Sequence, residues 1–196
     1  MEPQYRASLN GATYLLFELK QVIKLKEKGL LNQDIRKKVI EENTFQSSKK
    51  SSIERALTSV LRRSDVIDQT LGTLMLEGSL ETSKIINLYA IMKTDVLFYE
   101  FMVEVISEKL LNNDYLFEKK DINLFFTIKS EQSEQVRNWS DVTIHKLKSA
   151  YVQVLFESGV LKKRQSNELS RLIIDEQIKE HLRDIGDAKY VQAMGE

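Results

Sequence analysis

Val142, His145, Lys146, Ser149, Gln153 and Phe156 fall on one arc of a helix opened by Ser140, and the arc carries cations and hydrogen-bonding groups with little acid. At about 100° per residue the opposite arc is apolar, with Ile144, Leu147, Tyr151, Val154 and Leu155 facing a core. In a major groove lysine reads guanine and glutamine reads adenine, so the chemistry on offer is hydrogen bonding to base edges rather than bond making. The helix ends at Gly159 and runs into Val160 and Leu161. A polar tip follows (Lys162, Lys163, Arg164, Gln165, Ser166, Asn167, Glu168), then a second apolar run of Leu172, Ile173 and Ile174. Helix, short strand, charged turn, short strand is the order of a winged helix, in which the hairpin tip carries its cations toward phosphates. The first set of candidate DNA-binding residues is therefore Ser140, Thr143, His145, Lys146, Ser149 and Gln153 on the helix, Lys162, Lys163 and Arg164 at the tip, and Arg171 behind it. A polar arc taken alone is better explained as a solvated helix face; the wing-like continuation shifts the balance.

Few residues of the chain are of a type and spacing that could do enzyme chemistry. His145 and His181 are the only histidines and cysteine is absent, so a zinc site would have to borrow distant carboxylates, and no metal or cofactor is expected. Glu100, Glu104 and Glu108 recur every four positions and line one helix face, but without a Glu-x-x-His partner motif they read as a solvated stripe or as partners of Arg55, Arg62 or Arg63. Gly72, Gly78 and Gly159 are isolated helix punctuation rather than a phosphate loop.

The elements that must position these residues are helical. The 196 residues contain one proline and seven glycines, with 42% hydrophobic and 30% charged side chains, a composition suited to long helices. Leu15 to Leu25 carry apolar residues at helical spacing before Gly29, which predicts a first helix over 13–28. Asn32 is placed to cap a second helix, Ser51 with Glu54 to form a capping box for a third, and Thr94 to cap the longest apolar helix. A fourth helix ends at Gly78 and a fifth begins near Ser79 or Thr82. The expected fold is mainly α: a helical bundle over 1–114, then a winged-helix-like domain with a short β-hairpin over 115–196, divided at the turn-forming Asn112, Asn113 and Asp114.

The formal net charge is zero, but it is unevenly placed. Ten cations stand against six acids in the first fifty residues, the middle is acidic, and from Arg137 to Arg171 seven cations face Asp141, Glu157 and Glu168. Distribution matters more than the sum for a nucleic-acid partner, so Lys20, Lys24, Lys28, Arg36, Lys37 and Lys38 form a second candidate contact area. The most apolar windows are cut by Glu100, Glu104, Glu108 and Glu157, which predicts no membrane span. Met1 to Asn10 lacks the apolar core of a signal peptide, which predicts a cytoplasmic protein.

Several local patterns resemble the BrxA family of bacteriophage-exclusion (BREX) phage-defence systems, proteins described as similar to the NusB antitermination factor. The likeness rests on Glu41-Glu42-Asn43-Thr44-Phe45-Gln46, on Phe101 with Glu104 and Val105, and on Asp121 with Phe125 and Phe126. It continues through Trp139-Ser140 with Thr143, Lys146, Leu147, Tyr151 and Leu155, and Ser158-Gly159-Val160-Leu161. None of these is a catalytic signature. The resemblance implies a small helical, non-enzymatic accessory protein that binds double-stranded DNA and works with a methyltransferase and other BREX components. Two alternatives stay open: a NusB-like factor that binds RNA through the basic first helices, and a protein-interaction scaffold that uses the acidic middle.

Overall fold

A computed structural model describes residues 4–163 and 167–196. The helices are α1 (Leu16–Glu27), α2 (Asn32–Glu41), α3 (Lys50–Ser64), α4 (Gln69–Glu77), α5 (Leu80–Thr94), α6 (Val96–Phe101), α7 (Glu108–Leu111), α8 (Lys119–Gln132), α9 (Glu134–Arg137), α10 (Asp141–Ser158), α11 (Glu176–Asp184) and α12 (Ala188–Ala193). Met102–Ser107, between α6 and α7, is π-helical.

α5 is the axis of the molecule. Every residue from Ile85 to Met92 is buried, so these two turns have no solvent face and must be covered on all sides. It packs against α1, α3, α4, α6, α10 and α12. The buried side chains form one cluster from Tyr5 to Met194 that runs across the Asn112–Asp114 turn where a junction was expected.

Arg63 of α3 is 1% exposed and makes no ion pair among the described residues; it donates instead to the carbonyls of Ala12 (3.0 Å), Thr13 (2.6 Å) and Tyr14 (2.7 Å). Asn87 of α5 donates to the same Tyr14 carbonyl at 2.8 Å. Burial pushes the Arg63 guanidinium down to about 10, so it stays charged at neutral pH. These bonds hold the segment that leads into α1, where Leu15 sits in the left-handed region at φ 53°, a conformation that costs a non-glycine residue about 1–2 kcal/mol.

A second set of contacts ties α6, α8 and α10 together. Phe98, Phe101, Phe125, Phe126 and Tyr151 meet at ring separations of 4.9 to 6.2 Å, and aromatic pairs of this kind add about 0.5–1.5 kcal/mol each beyond their burial. Beside them Lys129, 4% exposed, meets Glu100 at 2.7 Å and Glu104 at 2.6 Å, and Glu100 also accepts from the Tyr5 hydroxyl. Lys129 from α8 thus takes Glu100 and Glu104, neither of which pairs with Arg55, Arg62 or Arg63 among the described residues, while Glu108 stays exposed, as expected for a solvated stripe.

At the carboxyl end, Asp187 accepts from Tyr89 at 2.6 Å and pairs with Lys93, while Asp68, the cap of α4, meets His181 at 2.6 Å. Four helices stop by one device: a residue in the left-handed region (Gly29, Asn43, Asn113, Gly186), followed by an N–H that donates back five residues.

Three expected caps and the expected hairpin differ in the structure. α2 begins after Leu31 without a side-chain cap, α3 begins after Lys49 with Ser51 already inside it, and Asp95 rather than Thr94 caps α6. The β-hairpin is reduced, among the described residues, to two isolated antiparallel bridges, Leu161 with Leu169 and Leu116 with Glu168. The returning segment divides its bonds: the Ser170 N–H donates to Val160 and the Leu169 N–H to Tyr115, so neither pairing extends into a ladder. Ile173, read as part of the second strand, is 92% exposed and lies outside both bridges.

Replacing Arg63 with Met orphans buried carbonyls and is expected to lower unfolding free energy by about 3 kcal/mol or more, measured by chemical denaturation. A loss under about 1 kcal/mol would contradict the central place given to Arg63. Burial pushes the Asp187 carboxyl up, but its bonds to Lys93 and Tyr89 outweigh this and hold it below 3.8. The stability gap between wild type and Asp187→Asn should therefore be constant well above pH 3.8 and close as the pH falls through the folded-state value. A gap that widens in acid would show the sign to be wrong.

Candidate nucleic-acid interface

α10 presents the face read from the sequence. Leu147, Tyr151, Val154 and Leu155 are fully buried, while Val142, His145, Lys146, Ser149 and Phe156 are exposed and Gln153 is half-buried. Ser140 is the N-cap, accepting from the Thr143 N–H at 3.3 Å with the two hydroxyls 3.0 Å apart, so both residues already have a structural task. The Ser149 hydroxyl donates to the His145 carbonyl and the Gln153 amide to Glu157. Lys146 makes no ion pair among the described residues.

The outer face of α10 does not stand alone. His145, Lys146, Ser149 and Gln153 line one wall of a groove of about 790 Å³ whose other wall is Thr13 to Glu18, the segment that Arg63 holds. Both walls carry acid, Glu157 on one and Glu18 on the other, and each repels a phosphate.

The tip of the expected wing is less basic than its sequence. Lys162 pairs with Glu168 across the bridge, and Arg164, with Gln165 and Ser166, lies outside the described residues. Lys163 is exposed and has an interaction of its own. Arg171 is exposed but its donors are taken: its guanidinium donates to the Leu110 carbonyl (2.6 Å), the Gly195 carbonyl (3.1 Å), the Tyr115 hydroxyl (3.1 Å) and Asn113 Oδ1 (3.3 Å). It ties the end of α7 to the carboxyl terminus.

The cations of the first helices are differently placed. Lys24, Lys28, Arg36 and Lys37 are exposed and make no ion pair among the described residues, whereas Lys38 meets Glu42 at 2.6 Å and Lys20 donates to Ser83 at 3.1 Å. The structure adds two arginines that sequence reasoning assigned only as partners of acids. Ser51, Arg55, Thr58, Ser59 and Arg62 form one stripe along α3, facing Ser8 and Asn10 across a pocket of about 550 Å³. Arg62 Nε and Asn10 Oδ1 are buried there with no hydrogen-bond partner among the described residues, an expensive state for a polar atom unless something meets it. Glu54 is the one carboxylate in the lining. The 51, 55, 58, 59, 62 spacing of small polar and basic residues is the available signal, and it is obscured by the capping-box form of Ser51 with Glu54.

Among the described residues no three His, Asp or Glu side chains are placed to hold a metal ion, and no helix is long and apolar enough to cross a membrane.

The sequence profile of the BrxA family matches residues 3–186 of this chain. A relative from Bacillus cereus named BREX protein BrxA is 38% identical over 194 residues, covering 98% of this chain and 97% of its own. The crystal structure of an uncharacterized protein from Magnetospirillum magneticum superposes with a TM-score of 0.83 over 98% of each chain at 19% identity, a likeness of fold.

Because its donors are spent on the fold, Arg171→Ala should cost about 1.5–3 kcal/mol of stability and leave any nucleic-acid affinity unchanged once compared at a temperature where both proteins are folded. A variant of normal stability with weakened binding would return Arg171 to the interface.

Proposed function

The chain belongs to the BrxA family, and from that premise we propose that it is a non-enzymatic accessory protein of a BREX phage-defence system that grips double-stranded DNA, chiefly through its N-terminal helices. The observation that carries this reading is the Arg55–Arg62 pocket on α3, with its unpartnered buried Nε and its row of hydroxyls, on the part of the chain richest in unpaired cations. Guanidinium N–H groups are donors that a phosphodiester oxygen accepts from, and Lys24, Lys28, Arg36 and Lys37 add charge that needs no rearrangement to be offered.

The winged-helix reading of α10 and the bridged segment takes second place within this proposal. Its best support is the exposed His145, Lys146 and Ser149 face; against it stand Glu157 beside Gln153 and Glu168 on Lys162. The alternative in which the same basic helices hold RNA, in the manner suggested by the NusB likeness, shares every cation named here and differs only in the partner. Membership of the family supports work alongside other BREX components, the methyltransferase among them.

The test is binding of the purified protein to matched fluorescent duplex DNA, single-stranded DNA and RNA across a salt series. Duplex binding should weaken steeply with salt, and Lys24→Ala, Lys28→Ala and Arg55→Ala together should flatten the log–log slope by about 0.9 for each phosphate no longer neutralised. Lys162→Glu with Lys163→Glu should have the smaller effect. Tighter binding to RNA than to duplex would transfer the reading to the RNA alternative, and no binding to any of the three at low salt would end it.

A further inference from the structure

The acidic charge of the chain also has a definite place. The π-helical stretch and α7 form one wall of a groove of about 450 Å³, and α8 forms the other. Its apolar surface comes from Val105, Leu124 and Ile128, and its rim from Glu104, Glu108, Asp114 and Asp121 against a single lysine, Lys109.

Leu124 and Ile128 stand one turn apart on α8 and are 60% and 37% exposed, while Ile122, Phe125 and Phe126 of the same helix are buried. α8 is therefore apolar on two faces, and the core needs only one of them. Leu124 and Ile128 meet Val105 across the groove, and aliphatic side chains that share one exposed place mark a contact surface rather than scattered surface residues.

The rim says what that contact is. Lys109 is already shared by Asp114 (2.7 Å) and Asp121 (3.3 Å), and Glu104 serves the buried Lys129. Glu108 has no ion pair among the described residues. An excess of carboxylate around an apolar floor repels nucleic acid and attracts a basic partner. The walls are helical and present no open strand edge, so the matching element is a helix laid in the groove with its apolar residues one turn apart.

We propose that the groove between the π-helical stretch and α8 docks a lysine- or arginine-rich amphipathic helix of a protein partner. The surface is separate from the basic N-terminal helices, so it would let one chain hold nucleic acid and a second protein at once.

The experiment uses the full chain and two designed helical peptides, each with leucines at i, i+3, i+4 and i+7, one with lysine and one with glutamate at the remaining positions. Fluorescence anisotropy should show binding of the lysine peptide and at least tenfold weaker binding of the glutamate peptide. Leu124→Asp and, separately, Glu108→Lys should each weaken the lysine peptide at least tenfold, with unchanged thermal unfolding and unchanged nucleic-acid binding. Phe17→Asp, an equivalent change at an exposed apolar residue elsewhere, should have no effect. Equal binding of both peptides, or Leu124→Asp within twofold of wild type, would overturn the proposal. So would a dimer in sedimentation velocity that Leu124→Asp dissolves, since the groove would then be filled by a second copy of this chain.

Discussion

A buried guanidinium that, among the described residues, has no paired carboxylate sets the terms for the amino-terminal half of the molecule. An unpaired buried cation is costly unless its donors are met, and Arg63 meets the requirement with three consecutive backbone carbonyls, Ala12, Thr13 and Tyr14. Those carbonyls belong to a segment with no helix or strand to satisfy them, so each side solves the other's problem. The fixed segment delivers Leu15 in its left-handed conformation and so sets where α1 starts and which way its lysines face. It also forms one wall of the groove opposite α10. The residue before Arg63 on α3 faces outward, into the pocket with Ser8 and Asn10, so the fold and the candidate interface use adjacent arginines of one helix turn.

The same logic of a buried cation met by neighbours recurs at Lys129 and, with less burial, at Lys93. In each case the partners come from a different element: Glu100 and Glu104 for Lys129, Asp187 for Lys93. Such pairs do little for stability when compared with apolar replacements, yet they specify which surfaces meet, because a wrong docking leaves a buried charge alone. The π-helical stretch lies between Glu100 and α7, and its altered turn changes the direction of side chains that a regular helix would have kept in register. Of the three glutamates spaced by four, Glu100 and Glu104 meet Lys129, while Glu104 also shares the groove rim with Glu108.

Periodic features were legible in the sequence and context-dependent ones were not. The helical apolar arcs, the Ser140 cap and the left-handed Gly29 and Gly159 follow from rules that act within four or five residues, and of Ser79 and Thr82, both open as the start of the fifth helix, the structure takes Ser79. The caps that failed, Asn32, Ser51 with Glu54, and Thr94, had the right residue types, but helix starts there are decided by packing a residue or two away. Strand pairing depends on which backbone lies alongside, and Tyr115 to Phe117 took half of the bonds that a hairpin would have used. Arg171 and Lys162 read as free cations because their partners, Leu110 and Gly195 for one and Glu168 for the other, cannot be assigned from composition.

The residues that carry the family likeness explain the same divide from the other side. Phe101, Phe125, Phe126 and Tyr151 are the aromatic cluster, Asn43 is a left-handed helix stop, and Asp121 accepts the Glu118 N–H at 2.7 Å at the head of α8. Each is a packing or capping residue, so what the likeness transmits is a scaffold, and at 19% identity the shared fold of the Magnetospirillum magneticum protein says the same. Function on such a scaffold has to be read from what it leaves exposed and unpaired. Among the described residues, cations without an ion pair are concentrated on the first three helices, and the uncovered Leu124 and Ile128 lie beside carboxylates in the groove between α7 and α8. A chain with zero net charge thereby keeps two surfaces of opposite character, each attractive to a partner that the other repels.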